Sequence, residues 1–228
     1  MRPAWYALRP GGRRDYVTLL HPPYTLWHLS YVVIGAALAP EWRPLRLGTG
    51  LAAFFLGLGI GAHALDELRG RPLGTRIPDR VLWALAAASL AGAVAIGIAA
   101  AVAWTPWLVA FVAFGGFIVC AYNLELFGGR FHGDAWFAIA WGGLPLLAAY
   151  FAAAGVVTWQ ALVAAGFACL LSLAQRRLST PVRLVRRRLP DVSDSTREQL
   201  VQGAEGALRA LTAAVVALAV ALVILRAR

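Results

Sequence analysis

L-G-T-G-L-A-A-F-F-L-G-L-G-I-G-A-H-A-L-D-E-L-R-G-R-P-L-G-T-R-I-P, Leu47 to Pro78, begins as an uninterrupted apolar run and ends in a carboxylate pair and a cluster of arginines. The apolar part, Leu47 to Leu65, is long enough for a helix crossing the roughly 30 Å hydrocarbon core of a bilayer. On that helix His63 and Asp66, three residues apart, fall on one face. Arg69, Arg71 and Arg76 follow at once. Guanidinium forks match phosphate oxygens, and an adjacent acid can hold a divalent cation, so the stretch has the chemistry to grip a metal-bound diphosphate. A plainer reading stands beside it, in which Asp66 and Glu67 offset the charge of a basic loop at the membrane edge.

Outward from this stretch the composition repeats the pattern. The chain is 60% hydrophobic and only 14% charged, with mean hydropathy +0.68. Soluble domains carry about a quarter charged residues, so the sequence predicts an integral membrane protein. Six further apolar segments, approximately 22–40, 81–103, 107–127, 135–154, 159–175 and 207–225, join 46–65 to give an all-α, polytopic bundle of about seven transmembrane helices forming a single domain. No apolar run in the first twenty residues has the length of a signal-peptide core, so the N-terminus is expected to be retained.

The net charge of +10 comes entirely from arginine and sits in the connections, which argues against nucleic acid and for a membrane surface. If the seven segments alternate, seventeen of the twenty-one arginines fall on one face, at the N-terminus, 66–80, 128–134 and 176–209. The positive-inside rule then places the N-terminus in the cytoplasm of a multi-pass cell-membrane protein. His63, Asp66, Glu67, Asn123, Glu125, His132 and Asp134 gather on that same face. Polar groups at the membrane edge are costly unless they face a cavity or each other, so a polar site open to the cytoplasm is expected.

Other features have ordinary explanations as well as functional ones. His21 and His28, seven residues apart among Tyr24, Trp27 and Tyr31, read as an interfacial aromatic belt or as the lining of a substrate entrance. Asp134 fits the cap of a helix, while Glu125 needs a partner, for which Arg130 or an arginine of the 66–80 loop is available. Residues 175–199 read as an amphipathic piece lying on anionic headgroups, with Leu184, Val185 and Leu189 among arginines. Ser193 or Asp194 would cap the helix that enters the last span, and Glu198 stands near the capping-box position. Cys120 and Cys169, isolated in apolar segments, read as packing residues.

Two motifs carry a family resemblance. A-H-A-L-D at 62–66, followed by R-P-L-G-T-R-I-P at 71–78, resembles the first Asp-rich motif and following loop of the UbiA superfamily of intramembrane prenyltransferases, of the menaquinone/ubiquinone-pathway type. Y-N-L-E-L-F-G-G-R-F-H-G-D-A-W-F, from Tyr122, is similar to that family's passage between its fourth and fifth helices. The correspondence covers roughly residues 20–175. It implies a UbiA-like bundle that moves an isoprenoid chain from a prenyl diphosphate to an acceptor, with Mg2+ held by acids. On this expectation Asp66, Glu67 and His63 bind metal, with Asp66, Glu67 and Glu125 at the reacting centre. Arg69, Arg71, Arg76 and Arg130 meet the diphosphate, and Asn123 with Glu125 lines the acceptor side.

The sequence also departs from the family. His63 and Ala62 replace the first aspartate and its preceding asparagine. Gln175, Arg176 and Arg177 stand where the second Asp-rich motif is expected, with no carboxylate before Asp191, and seven spans replace the usual nine. A non-catalytic protein that binds isoprenoid lipids or partners an enzyme is therefore a second expectation. A small-solute transporter is a third, ranked last because close packing accounts for the glycines of helices two and four. Membrane lipids are expected partners, and the oligomeric state is left open.

Overall fold

A computed structural model describes residues 2–188 and 193–228. Among these the chain is helical, without strands. The helices are α1 (Arg13–Leu19), α2 (Pro22–Leu38), α3 (Pro44–Leu68), α4 (Asp79–Ala103), α5 (Leu108–Asn123), α6 (Asp134–Ala154), α7 (Trp159–Arg188) and α8 (Asp194–Arg226). Five of them, α3, α4, α6, α7 and α8, are long and apolar enough to cross a membrane. The two remaining expected spans are shorter, α2 at 17 residues and α5 at 16. At 1.5 Å per residue those two reach about 24–26 Å, less than a full hydrocarbon core. The fold is that of a helical bundle compatible with multiple membrane passes.

Helix α6 is the central element, with 72% of its apolar window buried. It packs against α2 and α7 through glycines that bring backbones together: a Cβ on Gly35 would lie 2.1 Å from the Leu146 carbonyl oxygen, and one on Gly142 would lie 2.4 Å from that of Ala168. Small residues at such crossings are how helices associate where no water drives them together. Trp27, Tyr31, Ile34 and Leu146 fill the space between these helices. The Trp27 indole donates to the Tyr31 hydroxyl at 2.5 Å, which accepts from Ser172 at 3.2 Å. Outward, α4, α5, α7 and α8 expose Trp83, Val102, Val109, Leu170 and Leu225, apolar surface suited to lipid.

Two cavity-lining helices contain π-helical segments, Phe55–Ala62 in α3 and Ala138–Gly143 in α6. Both are glycine-bearing, and π turns inside α-helices recur at functional sites because they re-aim the residues that follow. Here they immediately precede His63 and include Trp141.

The helix ends fall into two groups. At one, Arg46 donates to the Ala152 carbonyl at 2.7 Å and lies 5.0 Å from the Trp104 ring, while Arg226 donates to the Ala37 and Ala39 carbonyls at 2.7 and 2.6 Å. These arginines satisfy carbonyls that α6 and α2 leave without intrahelical partners. The other end holds α1, the 69–78 connection, the 124–133 turn, the C-terminal end of α7 and the N-terminal end of α8, and carries most of the arginine.

That basic end departs from the sequence reading in three places. Helix α7 does not stop near residue 175 but runs on through Arg188, so 176–188 is a continuation of that helix rather than a separate piece. Asp134 does not cap α6, whose N-cap is Gly133 without a side-chain bond; its carboxylate accepts from Arg176 Nε at 2.5 Å. Glu198 lies 3.2 Å from Arg186, in an ion pair rather than a capping box, although Ser193 does cap α8 through the Thr196 amide at 3.2 Å. Leu189 and Asp191 lie outside the described residues.

Candidate functional site

At the basic end α2, α3, α5, α6 and α7, with Glu205 of α8, surround a cavity of about 360 Å³, covered by the N-terminal segment Pro3–Tyr6. Its inner wall is aromatic. Tyr122 packs with His132 and Trp141 at centroid distances of 4.4 and 4.5 Å, and Phe137 stacks on Trp141 at 5.4 Å with an interplanar angle of 8°. Tyr6, Tyr24 and His28 close the side toward α2.

Of the nine residues singled out from the sequence, three line this cavity: His63, Asp66 and Asn123. The spacing that put His63 and Asp66 on one face of α3 does bring both into it. His63 Nδ1 is 3.1 Å from the Gly59 carbonyl, which can only accept, so this nitrogen carries a proton and donates. The His63 ring stacks on His21 at 4.1 Å. The Asn123 amide donates to the Val119 carbonyl at 2.7 Å.

The other six lie outside. Glu67 is fully buried, and its carboxylate accepts from the Leu73 amide at 2.9 Å and from the Thr75 amide and hydroxyl, each at 2.8 Å. It clasps the 69–78 connection. Arg71 is occupied in the same connection, donating to the Ile77 carbonyl at 2.5 Å and pairing with Asp79. Arg76 is exposed, and its backbone amide donates to Asp15 at 2.8 Å. Helix α5 ends at Asn123, and Glu125 takes a left-handed backbone with φ 51°. That turn carries its carboxylate to the surface, where Arg69 meets it at 3.2 Å, so the partner is a residue of the 66–80 loop. Arg130 is exposed.

The cations that face the cavity come instead from α7. Arg176, Ser179, Thr180, Arg183 and Arg187 recur at helical spacing and line one wall. Arg176 is fixed by Asp134 and the Tyr122 hydroxyl and lies over the Tyr122 and Phe137 rings at 5.7 and 5.3 Å. Arg183 donates to Thr180 at 3.2 Å. Beside them Arg186 is buried and bound at 2.6 Å by Glu205, which locks α7 to α8.

Among the described residues, the buried polar atoms of the cavity that have no partner include His21 Nε2, His28 Nδ1 and Gln175 Oε1. His28 and Gln175 are only 4% and 3% exposed. Buried polar groups are bonded as a rule, so these atoms call for a ligand or water. His21, outside the spans, receives the Tyr6 contact at Nδ1, 2.7 Å away. Burial, reinforced by the neighbouring His63, holds it well below the ordinary imidazole value and therefore neutral.

Magnesium is the ion that the family resemblance implies. Two or more acids facing the cavity would fit it, but Glu67 has committed both oxygens, Glu125 lies outside and Asp134 is held by Arg176. Among the described residues no three His, Cys, Asp or Glu side chains converge as metal ligands. The acid set does not fit a protein-held magnesium cluster.

A separate apolar crevice of about 130 Å³ is lined by Gly57 and Leu58 of α3, Gly115 and Val119 of α5 and Leu144 of α6, and reaches Arg46 and Trp104 at the opposite end of the bundle. Leu58 and Val119 pack in one core cluster with Tyr122 and Trp141 of the cavity wall. No protein-family model, curated protein or solved structure matches the chain.

Proposed function

We propose that this chain is a UbiA-like membrane prenyltransferase that binds an isoprenoid diphosphate in the cavity at its basic end and transfers the isoprenoid chain to an acceptor. In this reading α2 and α5 complete seven passes in the cell membrane, and the N-terminus is cytoplasmic, because the arginine bias favours that face. One observation carries it: a single chamber presents Arg183 and Arg187 of α7 together with an aromatic wall of Tyr122, Phe137 and Trp141, against which Arg176 is already packed. Guanidinium groups suit the diphosphate. Aromatic faces suit the allylic cation left when the carbon–oxygen bond breaks, since a cation is attracted to a ring face most strongly where water is excluded. In this reading the chain would run from the cavity toward the separate apolar crevice on α3, α5 and α6. Asp66 and Asn123 stand at the acceptor side in this reading.

The test is to incubate purified protein with geranylgeranyl diphosphate and measure diphosphate release. Release by the wild type, lost in Asp66→Ala, is expected; release that persists unchanged in that variant removes Asp66 from the reaction.

A second reading, a protein that binds isoprenoid lipids without reacting them, is favoured by the placement of Glu67 and Glu125 outside the cavity. It predicts equal thermal stabilisation by geranylgeraniol and by its diphosphate, because a ligand stabilises according to its affinity for the folded state.

A further inference from the structure

We propose that the cavity holds a diphosphate through arginines alone, with Arg183 and Arg187 as the anion-binding pair, and needs no magnesium ion. This rests on the reading of the cavity as a prenyl-diphosphate site and specifies how the charge is met.

The acids that would hold a metal are spent elsewhere. Glu67 closes the 69–78 connection with three hydrogen bonds, Glu125 faces Arg69, and Glu205 binds Arg186. Asp66 is left as the one cavity carboxylate not bound to an arginine among the described residues. A lone carboxylate also meets a diphosphate as a like charge.

The cations are arranged the opposite way. Arg183 and Arg187 are one turn apart on α7, both exposed toward the cavity, and neither meets a carboxylate at ion-pair distance among the described residues. Like charges at this spacing repel and destabilise a helix, and a bound anion relieves that cost. Each guanidinium is a planar fork that can meet two phosphate oxygens at once, which Lys could not match in geometry. Independently, His21 Nε2, His28 Nδ1 and Gln175 Oε1 have no partner among the described residues in the same cavity, which marks it as a place that receives a polar molecule; the Gln175 oxygen only accepts and would meet it through water. The motif that would supply the second metal in the family is replaced by Gln175, Arg176 and Arg177 at the start of this arginine face.

The experiment measures binding of geranylgeranyl diphosphate to the full chain in nanodiscs, in excess magnesium and in EDTA, with geranylgeraniol as the uncharged comparison. Expected are affinities equal within about twofold in the two buffers and a loss of about tenfold or more in Arg183→Gln and in Arg187→Gln, as for charge-assisted bonds. Arg130→Gln, outside the cavity, leaves binding unchanged. Asp66→Asn decides the sign: an arginine site binds the diphosphate equally or more tightly without that carboxylate, whereas a magnesium site loses affinity. A loss of tenfold or more in EDTA, or weakened binding in Asp66→Asn, overturns the proposal while leaving the diphosphate site standing. A wild type that binds the diphosphate no better than geranylgeraniol in either buffer overturns the site itself.

Discussion

Replacing Glu67 separates a structural role from a metal-binding one. Its carboxylate is fully buried and accepts from the Leu73 amide at 2.9 Å and from the Thr75 amide and hydroxyl at 2.8 Å each. Glu67→Ala leaves two buried amides without acceptors. At roughly 1–3 kcal/mol for each unsatisfied buried group, the expected loss is about 2–6 kcal/mol. Glu67→Gln keeps the shape and one carbonyl oxygen, enough for both Thr75 bonds, but turns an NH2 toward the Leu73 amide, with an expected loss of about 1–3 kcal/mol. Stability should therefore fall in the order wild type, Gln, Ala. Equilibrium unfolding in nanodiscs measures it, and hydrogen exchange should show faster exchange at Leu73 and Thr75 than at amides within α4. An alanine variant as stable as wild type with both amides still protected would refute the clasp, as would a defect confined to magnesium affinity.

Three further outcomes follow from the same structure. Glu205→Ala combined with Glu198→Ala strands buried Arg186 and should cost about 3–5 kcal/mol in unfolding, whereas replacing Arg186 by Met together with Glu205 by Leu should cost far less, because no buried charge is then left unpaired. Gly142→Ala, whose new Cβ would lie 2.4 Å from the Ala168 carbonyl oxygen, should lower the melting temperature and free α7 from α6, while Gly48→Ala, with open space around it, should not. His21 is neutral in the fold because its value is depressed below the unfolded 6.5 by burial and then by His63, with Arg183 and Arg187 acting in the same direction. Its contribution to stability is therefore present above about pH 6.5 and lost as the pH falls toward the depressed value, so wild type should lose more melting temperature than His21→Gln between pH 7.5 and 5.5.

What was readable in the sequence was whatever follows from hydropathy and helical spacing. Apolar runs located the helices, arginine counts separated the two ends, and the three-residue interval brought His63 and Asp66 into one cavity. The fates of Glu67 and Glu125 were not readable, because both depend on backbone that bends in three dimensions. Glu67 meets amides six and eight residues downstream across a turn with left-handed Gly70, Arg71 and Gly74, and Glu125 is swung outward at φ 51°. The arginines of α7 were misplaced for a different reason. Hydropathy falls near residue 175, but a helix need not stop where its apolar stretch does, and the interval from Arg176 through Thr180 and Arg183 to Arg187 already marked one continuous face.

The central claim, that an anionic head group sits between α3 and the basic face of α7, is tested most directly by photo-cross-linking with a geranylgeranyl diphosphate analogue carrying the reactive group beside the diphosphate. The account predicts label in the peptide containing Arg176 to Arg187 and in that containing His63 and Asp66, displaced by excess unmodified diphosphate. Label confined to the 124–133 turn and the 69–78 connection, or spread over lipid-facing residues of α4 and α8 without displacement, would contradict it.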